Sequence, residues 1–443
     1  MRKAIAVVAL GCSKNTVEAE YLLGNLQNKG FFISGNVQEA DIVIIHTCSF
    51  IQDAREESEK YINDVLRLKD KKDVKVYVSG CLPQLLKEEI MERFPSIDGY
   101  VGTGTLDRLP ILILNGKPVN QAAAGGFNDS NYRSLSSSLP SAYLKIAEGC
   151  NHGCSFCIIP NLRGKYTSRT IESLYSETRS LVSTGIRELI LTAQDTTSYG
   201  SDIYNAFALD KLLSKIANIK GLRWIRLMYA YPSAITDSLL DVFKEYKNIC
   251  SYMDIPIQHI SKNILYSMRR PLNTGKIIEK IKNKLPDMVL RTSIIAGFPG
   301  ETEADIRELI DFIRQGYFQY VGVFEYSDEK DAPSSKFKNH ISSATTKKRR
   351  IEIEKVQYEV FKSKMEFLKN SETEFFAENC VIKGKKYLIG GRCIFQSPEV
   401  DGTTLIMSDK VFDVGKFYKI VIKDNDGYNI KAEIRSPVML QKR

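Results

Sequence analysis

The sequence of 443 residues has no long apolar run, and none of its runs approaches the roughly 18 to 20 residues that a membrane-spanning helix requires. It also lacks a recognisable secretory signal, because the apolar stretch 4–10 is too short for a signal core and no small-residue cleavage site follows it. Hydrophobic residues make up 43% and charged residues 26%, as in ordinary globular proteins. We therefore expect a cytoplasmic protein without a membrane partner.

The length of the chain predicts two or three compact units, each with its own core. The net charge of +9 favours an acidic partner such as nucleic acid or a ribonucleoprotein, although a mild basic excess is also common on protein surfaces. Charge alone therefore does not identify the partner.

The fold class predicted from the pattern of apolar runs is α/β. Residues 1–124 alternate β-rich runs with amphipathic stretches, which predicts βαβ units and a parallel sheet. Residues 125–141 are rich in Gly, Ser and Asn and predict a linker. Residues 142–370 contain six strand candidates, each but the last followed by a helix-like stretch, which predicts a partial (β/α)6 barrel with ligands at the carboxyl ends of its strands.

Two features near the C-terminus bear on the partner. The charged stretch 345–370 has helical periodicity and predicts a linking helix at the end of the second unit; a solvated face explains its charges more simply than a nucleic-acid arm. Short β-like runs with turn signals in residues 371–443 predict a small antiparallel β-barrel. This third unit has twelve basic and ten acidic residues, a balance that argues against a strongly RNA-binding surface.

Nine cysteines in a cytoplasmic protein favour metal or cluster ligation over disulfide bonds. Cys150, Cys154 and Cys157 form a C-x3-C-x2-C motif directly after the first predicted barrel strand. Three thiolates in one loop can hold three irons of a 4Fe-4S cluster and leave the fourth iron open. An open iron can chelate the amino and carboxylate groups of S-adenosylmethionine and pass an electron to its sulfonium, which yields a 5'-deoxyadenosyl radical.

A zinc site with His152 as the fourth ligand is the alternative for this motif. Zinc motifs usually consist of two separated pairs of ligands, whereas here all of the candidate ligands lie within eight residues. Phe156, between the second and third cysteines, is a candidate cofactor contact, but packing in the core would explain it equally well.

A second group of cysteines lies in the first unit. Cys12, Cys48 and Cys81 each end a predicted parallel strand, and the carboxyl ends of neighbouring parallel strands converge at one edge of a sheet. Three converging thiolates again suggest a cluster with one iron free of protein ligands, although buried cysteines are also common at strand ends. The other three cysteines show no such pattern and are expected to be packing residues: Cys250, Cys380 and Cys393.

Several motifs together resemble the methylthiotransferase family of radical S-adenosylmethionine enzymes, which includes the RimO and MiaB branches. The resemblance covers nearly the whole chain and rests on LGCSKN, TCSF, SGC, EGCNHGCSFCIIP with Arg163-Gly164, and GFPGET. It implies an N-terminal methylthiotransferase domain with an auxiliary 4Fe-4S cluster on Cys12, Cys48 and Cys81. It also implies a radical domain with a 4Fe-4S cluster on Cys150, Cys154 and Cys157, and a C-terminal barrel similar to a TRAM domain.

Within this family, four stretches resemble the RimO branch: IPIQHISKNILYSMRR, LRTSIIAGFPGE, FEYSDE and SPEVDG. The tRNA-modifying branch tends to have Gln-Ser-Gly where Gln258-His259-Ile260 stands here. The resemblance therefore implies a transferase that adds a methylthio group to the β-carbon of an aspartate in small-subunit ribosomal protein number twelve. It would use two 4Fe-4S clusters, S-adenosylmethionine, a sulfur donor, and a reductant such as flavodoxin or ferredoxin.

Resemblance and position at strand ends also identify candidate contacts to S-adenosylmethionine: Gln194, Arg226, Gln258 and Gly297. An arginine can pair with the methionine carboxylate, and a glycine lets the backbone approach a ligand. Loop structure is an alternative explanation for each of these residues. His46 and His259 are expected to be hydrogen-bonding residues rather than ligands.

Two alternative functions remain open. A tRNA adenosine methylthiotransferase of the MiaB type would use the same clusters and read an unstacked adenosine by aromatic stacking. A zinc-dependent RNA-binding protein without catalytic activity would need neither cluster. The near-neutral C-terminal unit disfavours the first, and the crowded cysteine spacing disfavours the second.

Overall fold

The computed structural model describes residues 3–116, 119–125 and 132–437. It contains two six-stranded parallel sheets and a closed five-stranded barrel, which confirms the predicted α/β fold class. Among the described helices, none combines the length and the apolar character that crossing a bilayer demands.

The first unit is a parallel sheet with strand order β2-β1-β3-β4-β5-β6. Its central strand β3 is apolar in four of six positions and buried along its whole length, as expected for a parallel strand covered on both faces. The strands are β1 (Ala4–Ala9), β2 (Phe32–Ile33), β3 (Ile42–Thr47), β4 (Lys75–Gly80), β5 (Gly99–Val101) and β6 (Val119–Gln121). The helices are α1 (Ser13–Asn28), α2 (Gln52–Leu66), α3 (Cys81–Leu86), α4 (Glu89–Arg93) and α5 (Leu109–Leu114).

The second unit is an open parallel sheet whose strands are ordered β7-β10-β11-β12-β13-β14. A short antiparallel pair, β8 and β9, lies beside it. The strands are β7 (Ser141–Lys145), β8 (Ala147–Glu148), β9 (Thr167–Ser168), β10 (Glu188–Thr192), β11 (Trp224–Leu227), β12 (Ile249–Asp254), β13 (Val289–Ala296) and β14 (Phe318–Glu325). The helices are α6 (Ile159–Arg163), α7 (Ile171–Ser183), α8 (Leu209–Ala217), α9 (Asp237–Glu245), α10 (Lys262–Ser267), α11 (Thr274–Lys284), α12 (Glu303–Arg314) and α13 (Ser343–Leu368).

Threonine side chains cap three helices of this second unit. Thr170 and Thr236 accept hydrogen bonds from backbone N–H groups in the first turns of α7 and α9. Thr302 and Asp305 form a reciprocal capping box at the start of α12. Each cap satisfies an N–H group that the helix leaves unpaired, so the local sequence determines where these helices begin.

The third unit is a closed barrel with strand order β15-β16-β17-β19-β18. The predicted small antiparallel barrel is confirmed, and all of its strand pairs are antiparallel except β17 with β19, which run parallel. The parallel pair brings the last strand back to close the barrel. The strands are β15 (Glu372–Lys383), β16 (Lys386–Cys393), β17 (Thr404–Ser408), β18 (Phe417–Asp426) and β19 (Asn429–Pro437).

The barrel covers one face of the second sheet. Trp224 and Tyr252 of this sheet share a buried apolar cluster with Phe375, Phe376 and Phe417 of the barrel. The opposite face of the sheet packs against its own helices in a separate core. The second sheet is therefore buried on both faces, with its strand ends left to form a site.

The described part of the predicted linker is tied to both flanking units, whereas residues 126–131 lie outside the described residues. The guanidinium of Arg133 donates to Glu20 on α1 at 2.6 Å and to Glu177 on α7 at 2.7 Å. The backbone N–H of Ser136 also donates to Glu20. These bonds hold the first unit against the second.

Candidate active site

The first three cysteines meet at the carboxyl edge of the first sheet. Cys12 precedes α1, Cys48 follows β3, and Cys81 begins α3 directly after β4. The three strands before them, β1, β3 and β4, are neighbours in the sheet. Gly11 has a φ of +90°, and a Cβ at this position would lie 2.5 Å from the Cβ of Cys48. A glycine is therefore required for the loops of Cys12 and Cys48 to approach each other.

The electrostatics of this first triad favour binding of a cation. Burial, against the lowering effect of Arg163 and with contributions from the nearby thiols of Cys48 and Cys12, raises the pKa of Cys81 to about 12. Burial likewise raises the pKa of Cys48, with a contribution from Cys12. Burial opposes ionisation of Cys12 as well, but Lys14 and Arg163 outweigh it and lower the pKa of that thiol. Ionising all three thiols together requires more positive charge, which coordinated iron supplies.

Arg163, at the end of α6, connects the first triad to the second unit. Its Nη2 donates to the Sγ of Cys81 at 3.1 Å and to Oδ1 of Asn15 at 2.7 Å. Its Nη1 pairs with the carboxylates of Glu18 on α1 and Glu148 on β8. One guanidinium therefore links a cysteine of the first unit to buried carboxylates of both units.

The ion pairs around Arg163 extend further into the interface. Lys145 on β7 also pairs with Glu18 and with Glu148. His46 lies 3.0 Å from Glu18, and its other ring nitrogen lies 3.0 Å from the hydroxyl of Ser79. Burial opposes ionisation of Glu18, but Arg163, Lys145 and His46 hold the pKa of this carboxyl well below its ordinary value.

The second triad lies in the loop between β8 and α6. The N–H of Cys157 donates to the carbonyl of Cys154 at 3.1 Å, and the Sγ of Cys157 accepts from the N–H of Ile159 at 3.4 Å. Burial raises the pKa of Cys150 to about 11 and that of Cys157 to about 12. The neighbouring Cys154 contributes to both of these pKa shifts, so the three thiols lie within electrostatic range of one another.

The loop of the second triad is held by an aromatic and an acidic side chain. His152 stacks on Tyr231 with ring centroids 3.5 Å apart, and its Nε2 lies 2.6 Å from the carboxylate of Asp195. Arg270 also lies over the ring of Tyr231, with its guanidinium 4.2 Å from the ring centroid. Its Nη1 is 3.8 Å from the Sγ of Cys154. His152 is thus engaged by Asp195 and is not positioned as a fourth ligand.

The arrangement does not match the zinc alternative. Within the described ranges, no three His, Cys, Asp or Glu side chains are arranged to hold a single metal ion. Zinc needs its ligands around one ion, whereas the cysteines of a 4Fe-4S cluster bind different irons and stand further apart. The donor set of two thiol triads therefore fits two clusters better than a zinc ion.

Both triads border one short helix. Helix α6 begins two residues after Cys157 and ends at Arg163, so its five residues span about 7.5 Å. Cys81 of the first triad packs against Ile158 and Leu162 in one apolar cluster. Both triads therefore lie at the junction of the first two units.

Gln194 and Gln258 lie at the edge where the second triad is found. The Nε2 of Gln194 donates to Glu148 at 2.6 Å, and its Oε1 is buried with no hydrogen-bond partner among the described residues. Gln258 has a φ of +70°, and its backbone forms a bridge to β13. The carbonyl of Pro256, two residues earlier, accepts a hydrogen bond from Arg270. Of the two, Gln194 therefore has a buried acceptor atom that the described residues leave unsatisfied.

Arg226 lies away from this edge, whereas Gly297 follows β13 at the edge and packs against α13. Arg226 is fully buried, pairs with Glu188 at 3.3 Å, and donates to the carbonyl of Ile394 in the C-terminal barrel at 2.9 Å. A Cβ at Gly297 would lie 2.1 Å from Oγ1 of Thr346 on α13. Contacts within the fold therefore account for the arginine and for the glycine.

Phe156 and the remaining predicted residues have packing or hydrogen-bonding contacts. Phe156 is half-buried and packs against a cluster that contains Met268 and Phe298. His259 accepts a hydrogen bond from the backbone of Ser261 at 3.0 Å. Three cysteines outside the triads are buried or partly buried away from the junction: Cys250, Cys380 and Cys393.

Sequence reasoning did not single out Lys14, Arg270 or Asp195 as site residues. Lys14 stands two positions after Cys12 within the LGCSKN motif. Its proximity to a candidate cysteine ligand could have indicated it. Arg270 and Asp195 carry no local signal, because tertiary contacts alone bring them to the cysteine loop.

Replacing Arg163 with methionine is expected to lower the free energy of unfolding of the cluster-free chain by about 3–5 kcal/mol. The reason is that two buried carboxylates, Glu18 and Glu148, would then share only Lys145 as a cationic partner. Urea unfolding followed by the fluorescence of Trp224, the single tryptophan, measures the change. The control is Arg67→Met, which breaks an exposed pair with Asp64 and is expected to cost at most about 1 kcal/mol. Equal effects of the two substitutions would contradict this role of Arg163.

Three known families match this chain, one in each of the two parallel-sheet units and one in the C-terminal barrel. Residues 4–102 match the family described as "Uncharacterized protein family UPF0004", residues 144–313 match the radical SAM superfamily, and residues 377–434 match the TRAM domain. Among solved structures, the radical S-adenosylmethionine methyltransferase TsrM from Kitasatospora setae is similar, with a TM-score of 0.55 and 15% identity over 73% of this chain and 75% of that chain. This likeness shows the fold alone.

Curated relatives are similar over their full length. The protein of Endomicrobium trichonymphae named "Ribosomal protein uS12 methylthiotransferase RimO" is 63% identical over 98% of this chain and 99% of its own length. The protein of the same name from Clostridioides difficile is 38% identical over 97% of this chain and 98% of its own length. The chain therefore belongs to the RimO family of radical S-adenosylmethionine methylthiotransferases.

Proposed function

We propose that this chain transfers a methylthio group to the β-carbon of an aspartate in ribosomal protein uS12. The observation that carries the proposal is that both cysteine triads border helix α6. Radical formation and sulfur delivery each need a cluster, and one substrate side chain must reach both. A pair of triads at one junction meets this requirement.

We propose the following assignment of the chain. Residues 1–124 form the methylthiotransferase domain, 125–141 the linker, 142–370 the radical domain with its trailing helix, and 371–443 the TRAM-like barrel. The auxiliary 4Fe-4S cluster is held by Cys12, Cys48 and Cys81, and the radical cluster by Cys150, Cys154 and Cys157. Of the predicted contacts to S-adenosylmethionine we retain Gln194, Gln258 and Phe156, and we add Arg270.

When bound, the clusters and S-adenosylmethionine supply the electron, the hydrogen-abstracting radical and the methylated sulfur that acid-base groups cannot provide. The residues of the chain orient these groups. Arg163 holds α6 against Cys81, and Tyr231 and Asp195 hold the cysteine loop through His152. The apolar side chains of Ile158 and Leu162 pack against Cys81 and shield this thiol from water.

A protein substrate suits the charge of the third unit better than tRNA does. Its basic and acidic residues nearly balance, whereas nucleic-acid binding needs clustered cations to release counterions. The partners that complete the reaction are a reductant such as flavodoxin or ferredoxin and a sulfur donor. The six thiols of the two triads need a reducing compartment, so we place the reaction in the cytoplasm.

A direct competition between substrates tests the function. Reconstituted, reduced enzyme is incubated with sulfide, S-adenosylmethionine and either a peptide of the uS12 loop or unmodified tRNA. Mass spectrometry is expected to find the methylthio group on the aspartate of the peptide and none on tRNA. Methylthiolated tRNA without a peptide product would overturn the proposal in favour of the MiaB-type activity.

A further inference from the structure

The carboxylate of an aspartate substrate must be bound close to both triads. The β-carbon that reacts is bonded directly to the carboxylate carbon, so the group that binds the carboxylate also positions the reacting carbon. A carboxylate that leaves water without a charged partner loses several kcal/mol of hydration. The junction between the triads therefore needs a cation that is not already paired with a carboxylate of the chain.

Four cationic side chains lie at this junction: Lys14, Lys145, Arg163 and Arg270. Lys145 and Arg163 both pair with Glu18 and Glu148. Arg270 donates to the carbonyl of Pro256 and lies beside Cys154 of the radical triad. These three cations are engaged by the fold or by the radical site.

Lys14 differs from the other three. Its Nζ lies 3.6 Å from the ring centroid of Tyr229, and its titratable neighbours are Tyr229 itself, the thiol of Cys12 and the guanidinium of Arg163. In the described part of the chain, no Asp or Glu forms an ion pair with it. Lys14 is half-buried, so its ammonium group can take a carboxylate from outside the chain as its partner.

Lys14 lies near elements of both triads. Its own helix α1 starts immediately after Cys12 of the auxiliary triad. The ammonium group of Lys14 lies over the ring of Tyr229, a residue that comes shortly after β11 of the radical domain. Two residues further on, Tyr231 stacks on His152 in the loop of the radical triad. An anion bound to Lys14 therefore lies between the auxiliary triad and the radical triad.

We infer that Lys14 binds the side-chain carboxylate of the substrate aspartate and so selects aspartate over its neutral isostere asparagine. This inference rests on the proposed function and adds to it a residue that determines specificity. The neighbouring Tyr229 ring strengthens the site, because an aromatic face stabilises the ammonium group without competing for the anion.

The test compares two peptides of the uS12 loop, one with the target aspartate and one with asparagine in its place. Binding to reconstituted enzyme is measured by fluorescence anisotropy of labelled peptide, and methylthiolation by mass spectrometry. We expect the unaltered enzyme to bind the aspartate peptide about 10- to 100-fold more tightly, as a charge-assisted hydrogen bond in a partly buried site provides.

Lys14→Met removes the charge and keeps the length of the side chain. It is expected to weaken binding of the aspartate peptide to the level of the asparagine peptide, whose own affinity changes little. Lys14→Gln is a second neutral variant in case the first fails to fold, and iron content and the unfolding midpoint verify that each variant is intact. The control is Lys29→Met, at the exposed C-terminal end of the same helix, which is expected to preserve the preference for aspartate.

Two results would overturn the inference. One is an unchanged preference for the aspartate peptide in both neutral variants. The other is an equal loss of binding for both peptides together with a loss of iron, which would assign Lys14 to the auxiliary cluster instead. Failure of the proposed function has a different signature, since the unaltered enzyme would then modify neither peptide, and both conclusions would be withdrawn.

Discussion

Cys154→Ala is expected to abolish both the cleavage of S-adenosylmethionine and methylthio transfer. The substitution leaves two thiols in the loop, too few to hold three irons and present the fourth to the cofactor. Iron content is expected to fall from about eight to about four atoms per chain, because the auxiliary triad is untouched. The measurements are 5'-deoxyadenosine formation by chromatography and iron by colorimetric assay after anaerobic reconstitution.

The control for this substitution is Cys380→Ala in strand β15. Cys380 is a free, partly buried cysteine of the C-terminal barrel that belongs to neither triad. The variant is expected to keep the full iron content and both activities. If Cys154→Ala still cleaves S-adenosylmethionine at the rate of this control, then Cys154 does not hold the radical cluster.

Cys48→Ala is expected to separate the two activities. Cys48 lies at the end of β3 in the first unit, whereas the radical triad is in the loop before α6 of the second unit. Arg163 contacts Cys81 and not Cys48, so the junction helix keeps its hydrogen bond in this variant. We therefore expect cleavage of S-adenosylmethionine to continue while methylthio transfer is lost, with about four irons remaining per chain.

The two activities are followed in one reaction mixture for Cys48→Ala. Formation of 5'-deoxyadenosine reports the radical cluster, and the mass of the uS12 peptide reports sulfur transfer. Electron paramagnetic resonance of the reduced variant is expected to show the signal of a single cluster. Full methylthiolation by this variant would show that the auxiliary cluster is not held by Cys12, Cys48 and Cys81.

Arg226 shows why position along a strand is not enough to predict a cofactor contact. Its position within a barrel strand suggested a contact with the cofactor, but its side chain points to the face that the C-terminal barrel covers. There Glu188 binds both Arg226 and Arg392, a residue 204 positions away in the chain. Residues that are far apart in sequence supply these partners, and no local pattern indicates them.

Gly297 is a similar case. A positive φ of +79° and a glycine beside a strand end are features that a ligand site and a packing site share. The structure shows Thr346 of α13 where a Cβ would be, and the Gly297 N–H donates to Glu301 at 3.0 Å. The long helix that occupies this position lies about fifty residues further along the chain, a distance over which sequence periodicity carries no information.

Local patterns were sufficient for the α/β class, because strand periodicity and turn residues act over a few residues; they also predicted three units and, from ligand spacing, two cysteine triads. Tertiary structure alone decided the pairing of Arg163 with Cys81, the placement of Arg226 under the C-terminal barrel, and the position of Lys14 between the two triads. Each of these depends on how separately folded units meet. Where the units contact each other, buried charged side chains pair with oppositely charged groups of the other unit, because an unpaired charge away from water is strongly destabilising.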